Sequence, residues 1–309
     1  MSRAATQLNQ PTREHHIEPS VKAAEAHLAH LVGASDPIGV FDSGIGGLTV
    51  AYALSQVLPA ERMIYFGDTA HLPYGDKSTA AIQAYSVKIC DVLLRQNVKT
   101  ILIACNSASA AAFDLVKAYV GTRAQVLNVI DPVVAYITTA FAGQSVGLIG
   151  TKKTVGSHVY QDKVLLAGAG VQLAEVATPL LAPMIEEGFY NNKISQTIID
   201  NYLDHPSLQG IKALILGCTH YPLILPQIQD YYARKGQSVA VIDSSMIVAE
   251  AMKSLLGAHN LLNQVMPEGD QRTRPKHHFY VSDYTDSFVA STELFFRQSV
   301  SLEHYRLWE

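Results

Sequence analysis

Eight short apolar runs alternate with stretches of helical periodicity, and that alternation limits what this chain can fold into more than any other feature. The runs are IGVF (38–41), MIYFG (63–67), TILIAC (100–105), QVLNVI (125–130), SVGLIG (145–150), VQLAEV (171–176), ALILGC (213–218) and SVAVID (238–243). They have the length of strands, and near-continuous apolar runs are what strands covered on both faces look like. Helical patterns fill the intervals, notably at 47–57, 78–96, 107–119, 193–204, 223–235 and 245–256. Strands and helices in alternation build parallel sheets with helices on their faces, so an α/β fold is expected.

The order also repeats. VID occurs at 129–131 and again at 241–243, Cys105 has a counterpart in Cys218, and IGVFDSGIGG (38–47) has one in VGLIGTKKTVG (146–156). All three landmarks recur after roughly 110 residues, which predicts two similar parallel-sheet α/β domains. Related by a pseudo-twofold axis, such domains aim the carboxyl ends of their strands at one shared cleft. Ligands of open α/β sheets bind just outside those ends. Each domain then brings one cysteine to the same ligand from opposite sides.

The 309 residues are 48% hydrophobic and 16% charged, enough apolar material for a real core and against a disordered chain. The net charge of −4 lacks the basic excess of a general nucleic-acid binder, so no nucleic-acid partner is expected. No apolar run reaches the roughly 18 residues of a membrane helix, and VVAYITTAFAGQSVGLIG (133–150) reads as a helix running into a strand. The polar start, MSRAATQLNQPTREHHIEPS, lacks the apolar core of a signal peptide, and three widely spaced cysteines make no disulfide framework. These features fit a cytoplasmic protein with free thiols and no membrane partner. Residues 1–36 read as a mobile or regulatory extension, with a short amphipathic pattern at 21–32. The 12 histidines are scattered without ligand spacing, and no metal is expected.

The chemistry centres on sulfur. Cys90 sits on the apolar stripe of a helix and reads as a small core residue. Cys105 and Cys218 each end a strand where a helix is about to begin, a position expected to favour thiolate. A single thiol suggests a nucleophile. Two facing thiols suggest one that removes a proton from a carbon and one that returns a proton to its other face. A redox pair is the rival, without the close Cys-x-x-Cys spacing.

GVFDSGIGGLTV (39–50) places Asp42 and Ser43 before a turn with Gly44, Gly46 and Gly47, at a helix start. Helix capping is the plain role for either side chain. The turn matches neither a dinucleotide fingerprint nor a P-loop, which leaves a small anion as ligand. In YFGDTAHLPYGDKS (65–78), Pro73, Tyr74 and Gly75 make a rigid turn exposing amides, or an ordinary loop. His220 follows Cys218 by two and can polarise it. Thr151 and Thr154 read as caps, and Glu186 with Glu187 as a solvated turn.

GVFDSGIGGLTV, YFGDTAHLPYG, LIACNSASA and LGCTHYPL, in this order, resemble the bacterial glutamate racemases and their aspartate-racemase-like relatives, from about residue 37 to the end. The resemblance implies a racemase that interconverts L- and D-glutamate without a cofactor and supplies D-glutamate for peptidoglycan. It makes Cys105 and Cys218 the acid–base pair, with Asp42 assisting the first and His220 the second. It assigns substrate binding to Asp42 and Ser43, to Tyr74 and Gly75 with Pro73 before them, to Asn106 and Ser107, and to Thr219 and His220. Thr151 and Glu186 match further family positions, the first for substrate and the second for catalysis. Ser107 stands where the family usually has Thr, keeping the hydroxyl and dropping a methyl. The family pattern further implies a first domain of 37–130 plus 245–309 and a second of 131–244, with crossings at DPVV (131–134) and DSSM (243–246). Some proteobacterial relatives carry an extension like 1–36 and are activated by a UDP-linked muramyl peptide precursor, and family members form homodimers in differing ways. An amino-acid-binding module and a single-thiol hydrolase are the competing functions. The first has no need of paired thiols and the second needs one.

Overall fold

The computed structural model describes residues 32–264 and 276–308. Most of the leader, with its amphipathic pattern at 21–32, lies outside the described residues.

β1 (Ile38–Asp42) is buried along its whole length, as its unbroken apolar run requires. It pairs in parallel with β2 (Met63–Gly67) on one side and β3 (Thr100–Ile103) on the other. β4 (Gln125–Asn128) lies outside β3. In the second half, β5 (Ser145–Gly150) holds the same central place, between β6 (Gln172–Ala177) and β7 (Ala213–Gly217), with β8 (Ala240–Ile242) outside β7. The orders β2-β1-β3-β4 and β6-β5-β7-β8 are therefore the same order written twice. This is the physical content of the sequence repeat. β3 and β7 are equivalent strands, and Cys105 and Cys218 follow them.

The first sheet is extended by β9 (His278–Val281) beside β2 and β10 (Leu302–His304) beside β9, both parallel. The sequence gives no apolar run at either strand. β9 is four residues with alternating burial, and β10 is three mostly exposed residues, too short for a periodicity signal.

The helices are α1 (Leu48–Val57), α2 (Thr79–Arg95), α3 (Asn106–Val120), α4 (Ile130–Ala140), α5 (Lys152–Gly156), α6 (Val159–Ala167), α7 (Leu181–Glu186), α8 (Lys193–Leu203), α9 (Leu225–Arg234), α10 (Ser244–Ala258) and α11 (Asp286–Phe296). Several start on side-chain caps: Ser78 accepts from the Ala81 N–H, and Asn192 and Ser195 cap each other's backbone at α8. α10 follows the second sheet but buries Val248, Ala249, Met252 and Leu256 and packs against α1 and α4. No helix of the described residues is long and apolar enough to cross a membrane.

Four strands are shorter than their apolar runs, β3 and β4 by two residues, β7 by one and β8 by three. β3 stops at Ile103 because Cys105 already caps α3. β4 stops at Asn128, whose side-chain oxygen takes the N–H groups of Ile130 and Asp131 at 2.8 Å each and turns the chain into α4. The first VID thus opens a helix. In the second, Val241 and Ile242 belong to β8, and Asp243 caps α10 through the Ser245 N–H at 2.8 Å. The equivalent positions are Asn128 and Asp243, not the two VID triplets.

The sheet ends away from the cysteines hold a buried ion pair. Lys99 and Glu61 are 0% and 2% exposed at their side chains and 2.5 Å apart. Lys99 Nζ also donates to the carbonyls of Ala34 and Leu261, and Glu61 accepts from the Asn263 N–H.

Candidate active site

The carboxyl ends of β1, β2, β3, β5, β6 and β7 open on one cavity, about 680 Å³ including its mouth. From the first sheet, Ser43, Pro73, Tyr74, Gly75, Cys105, Asn106 and Ser107 reach its wall. From the second come Thr151, Glu186, Cys218, Thr219 and His220. Of the residues that the family resemblance assigns to the site, the structure places all but Asp42 in this wall. Asp42 is fully buried behind the wall. Its Oδ2 accepts from the N–H groups of Gly47 at 2.8 Å and Gly44 at 3.3 Å, while Oδ1 has no partner among the described residues.

Sequence reading missed one stretch of wall. Thr178, Pro179, Ala182 and Pro183 face the cavity from the turn between β6 and α7. β6 is the counterpart of β2, so this turn is the counterpart of the Pro73–Gly75 turn. Pairing the strands through the repeat would have pointed to it. Glu186, which the local sequence reads as a solvated turn and the family resemblance as catalytic, ends α7 in the cavity wall.

Cys105 is the N-cap of α3, and its sulfur accepts from the Ala108 N–H at 3.4 Å and lies 3.7 Å from Ser43 Oγ. The expectation that this position favours thiolate is overturned. Burial, and then the charge of Asp42, push the Cys105 thiol up to about 12, outweighing the Ala108 N–H and Ser43. Cys218 departs from expectation in another way. It precedes Thr219, His220 and a 3-10 turn at Tyr221–Ile224, not the first turn of an α-helix. What it has is a histidine. His220 Nδ1 lies 3.6 Å from the Cys218 sulfur, and His220 Nε2 lies 2.9 Å from Glu186 Oε1. Burial opposes a charge on His220, but its hydrogen bonds to Cys218 and Glu186 and their charges prevail and hold it well above the usual imidazole range.

The two sheets touch around the cavity. Ser107 Oγ and Thr151 Oγ1 are 2.8 Å apart, so the hydroxyl that Ser keeps in place of Thr is used. Thr49 Oγ1 donates to the Thr219 carbonyl at 2.9 Å. A Cβ at Gly46 would overlap the His220 ring and crowd Thr219, so the 43–47 turn needs glycine there for close approach. Tyr74 is fixed from behind. Its hydroxyl donates to Asp68 Oδ2 at 2.6 Å, and Asp68 Oδ1 accepts from Ser282, just past β9, at 2.7 Å. Among the described residues no group of three His, Cys, Asp or Glu side chains is placed to hold a metal ion.

Fold and site together define an α/β protein that presents two thiols, from equivalent strands of two like sheets, to one cavity. The family model for Asp/Glu/hydantoin racemases matches residues 48–252. A glutamate racemase of Neisseria meningitidis is 38% identical over 264 residues, 85% of this chain and 94% of that one. Among solved structures, glutamate racemase from Francisella tularensis in complex with D-glutamate is similar with a TM-score of 0.79 and 36% identity, over 89% of this chain and 99% of that chain. The Thermus thermophilus enzyme in complex with β-chloro-D-alanine gives 0.75 and 36%, over 88% and 98%. The chain belongs to the Asp/Glu/hydantoin racemase family, in its glutamate racemase branch.

Proposed function

We propose that this protein interconverts L- and D-glutamate without a cofactor, using Cys105 and Cys218 on opposite faces of the substrate Cα. The observation that carries this reading is the presence of both thiols, each at the end of an equivalent strand, in the wall of one cavity. One sulfur, as thiolate, takes the Cα proton. The other, as thiol, gives its proton to the opposite face. One proton is taken and one given, and the two sulfurs have exchanged roles.

An ordinary thiolate, near 8.5, is a poor base toward an amino-acid Cα–H. Cys105, held near 12, rests as a thiol ready to donate, and in the reverse direction is a stronger base once deprotonated. Cys218 has the imidazole of His220 beside it, held protonated by Glu186 on its far nitrogen, so that positive charge faces the sulfur. Donors in the wall, including Asn106 and the hydroxyls of Ser107 and Thr219, stabilise the charge that develops at the substrate carboxylate. Asp42 acts from behind, through its charge on Cys105.

The two-lobe division, 37–130 with 245–309 against 131–244, belongs to this reading. It is supported by sheet membership, since all strands of each sheet fall on their own side of those boundaries. In a cytoplasmic setting the D-glutamate formed would supply peptidoglycan precursors. Activation by a UDP-linked muramyl peptide, if this chain has it, would involve the leader, most of which lies outside the described residues.

The test is incubation of metal-free protein with L-glutamate in D₂O, with L-aspartate in parallel. Optical rotation decaying to zero, together with loss of the Cα–H signal, is expected for glutamate alone. Cys105→Ala and Cys218→Ala are each expected to lower racemisation by at least about a hundredfold. Full activity in either variant would leave a one-thiol chemistry in place of this one.

A further inference from the structure

Asn106 is the first residue of α3, 3% exposed, and stands in the cavity wall next to Cys105. Its side-chain oxygen accepts a hydrogen bond of 2.8 Å from the hydroxyl of Tyr160. Its amide nitrogen, Nδ2, is buried and has no partner among the described residues. Tyr160 belongs to α6, on the side of the second sheet, and is fully buried. Burial, and then the charges of Glu175 and Asp131, push the Tyr160 hydroxyl above the usual tyrosine range. It therefore stays a protonated donor.

An amide side chain has one accepting and one donating end, and a donor held against the accepting end decides which way round it sits. A buried donor left without a partner is costly unless a ligand completes it. In a cavity wall the fitting ligand atom is an acceptor, and a carboxylate oxygen is the strongest one available.

We propose that Tyr160 is a positioning residue that locks the Asn106 amide with Nδ2 toward the cavity, presenting it to a substrate carboxylate. This rests on the reading of the cavity as an amino-acid site. The lock is supplied by the opposite half of the molecule, because Asn106 follows β3 of the first sheet and Tyr160 lies between β5 and β6 of the second. Asn106 is set for binding only when the two sheets stand as they do here. Without the hydroxyl the amide is free to turn, and its oxygen then faces the carboxylate and repels it.

The experiment compares wild type, Tyr160→Phe, Asn106→Ala and the double variant. Glutamate affinity is read by calorimetry and turnover by racemisation. Tyr160→Phe keeps the ring, and is expected to weaken glutamate binding and raise KM about tenfold, with kcat within about threefold. In the Asn106→Ala background the same change is expected to do nothing further, since the effect runs through that amide. A purely structural role would lower the melting temperature and weaken binding equally in both backgrounds, and that result overturns the proposal. So does an affinity in Tyr160→Phe equal to wild type. A wild-type protein that binds glutamate but does not racemise it sinks the racemase reading while the four affinities still decide this one. A wild-type protein that does not bind glutamate sinks both.

Discussion

Cys105 and Cys218 are equivalent in topology and unlike in surroundings. One is a helix cap in the field of a buried carboxylate, and the other touches an imidazole backed by a carboxylate. In a protein carrying Cys218→Ala, alkylation of Cys105 by iodoacetamide is expected to keep rising with pH through 10, with no plateau near the usual thiol value. Adding Asp42→Asn removes the negative charge that opposes the thiolate, so the rate profile is expected to move to lower pH. At His220 the sign is reversed. Its raised value means that the protonated imidazole contributes stability in full below about 6.5 and loses it as pH rises through the folded-state value. Glu186→Gln is expected to move the His220 titration, followed by NMR of the imidazole, to lower pH. The sequence showed both cysteines as strand-end residues, because an apolar run followed by small polar residues is a local signal. It did not show the state of Cys105, because the burial and the Asp42 charge that set it arise only when β1 and β3 lie side by side.

The turn Ser43–Gly47 brings the start of α1 against the ring of His220 and the side chain of Thr219. Gly46→Ala adds one methyl where the ring already lies. The expected cost is about 1–3 kcal/mol of stability, with His220 displaced from Cys218 and activity lost. Denaturant unfolding reads the first effect and racemisation the second. Restored activity in a variant with a smaller residue in place of His220 would not be expected, since the imidazole itself is needed. At this scale the apolar runs and the Gly-rich turn were readable, whereas β9, β10 and the β6–α7 turn were not. The two strands are too short to show a period. The turn carries Pro179 and Pro183 among residues with no distinctive chemistry, and only its equivalence to the Pro73–Gly75 turn gives it meaning.

Two sheets with one strand order face a common cavity, and the recurrence of sequence landmarks made that arrangement legible before any contact was known. The VID pair was a false equivalence that left the overall inference standing, because the strands it flanked were themselves equivalent. Stability at the far ends of the strands rests on Lys99 and Glu61, which also tie in the carbonyls of Ala34 and Leu261. Lys99→Met leaves the Glu61 carboxylate buried without its cation. The expected loss is about 3–5 kcal/mol, measured by urea unfolding, and Lys99→Met with Glu61→Leu together should recover much of it.

The first sheet is built from both ends of the chain, and that has a consequence for synthesis. As the protein leaves the ribosome, β1 to β4 emerge early, but β2 keeps one edge open until β9 at His278–Val281 has been made. The second sheet, contiguous in the chain, has all its strands by Ile242. An unpaired parallel edge in a nascent chain is a template for wrong partners. The same late segment supplies Ser282, which holds Asp68 and through it Tyr74. A chain stalled or cut before residue 278 is thus expected to hold both cysteines yet lack a finished cavity wall, and to aggregate through β2. Nascent protein should become active only once its last strands have been released.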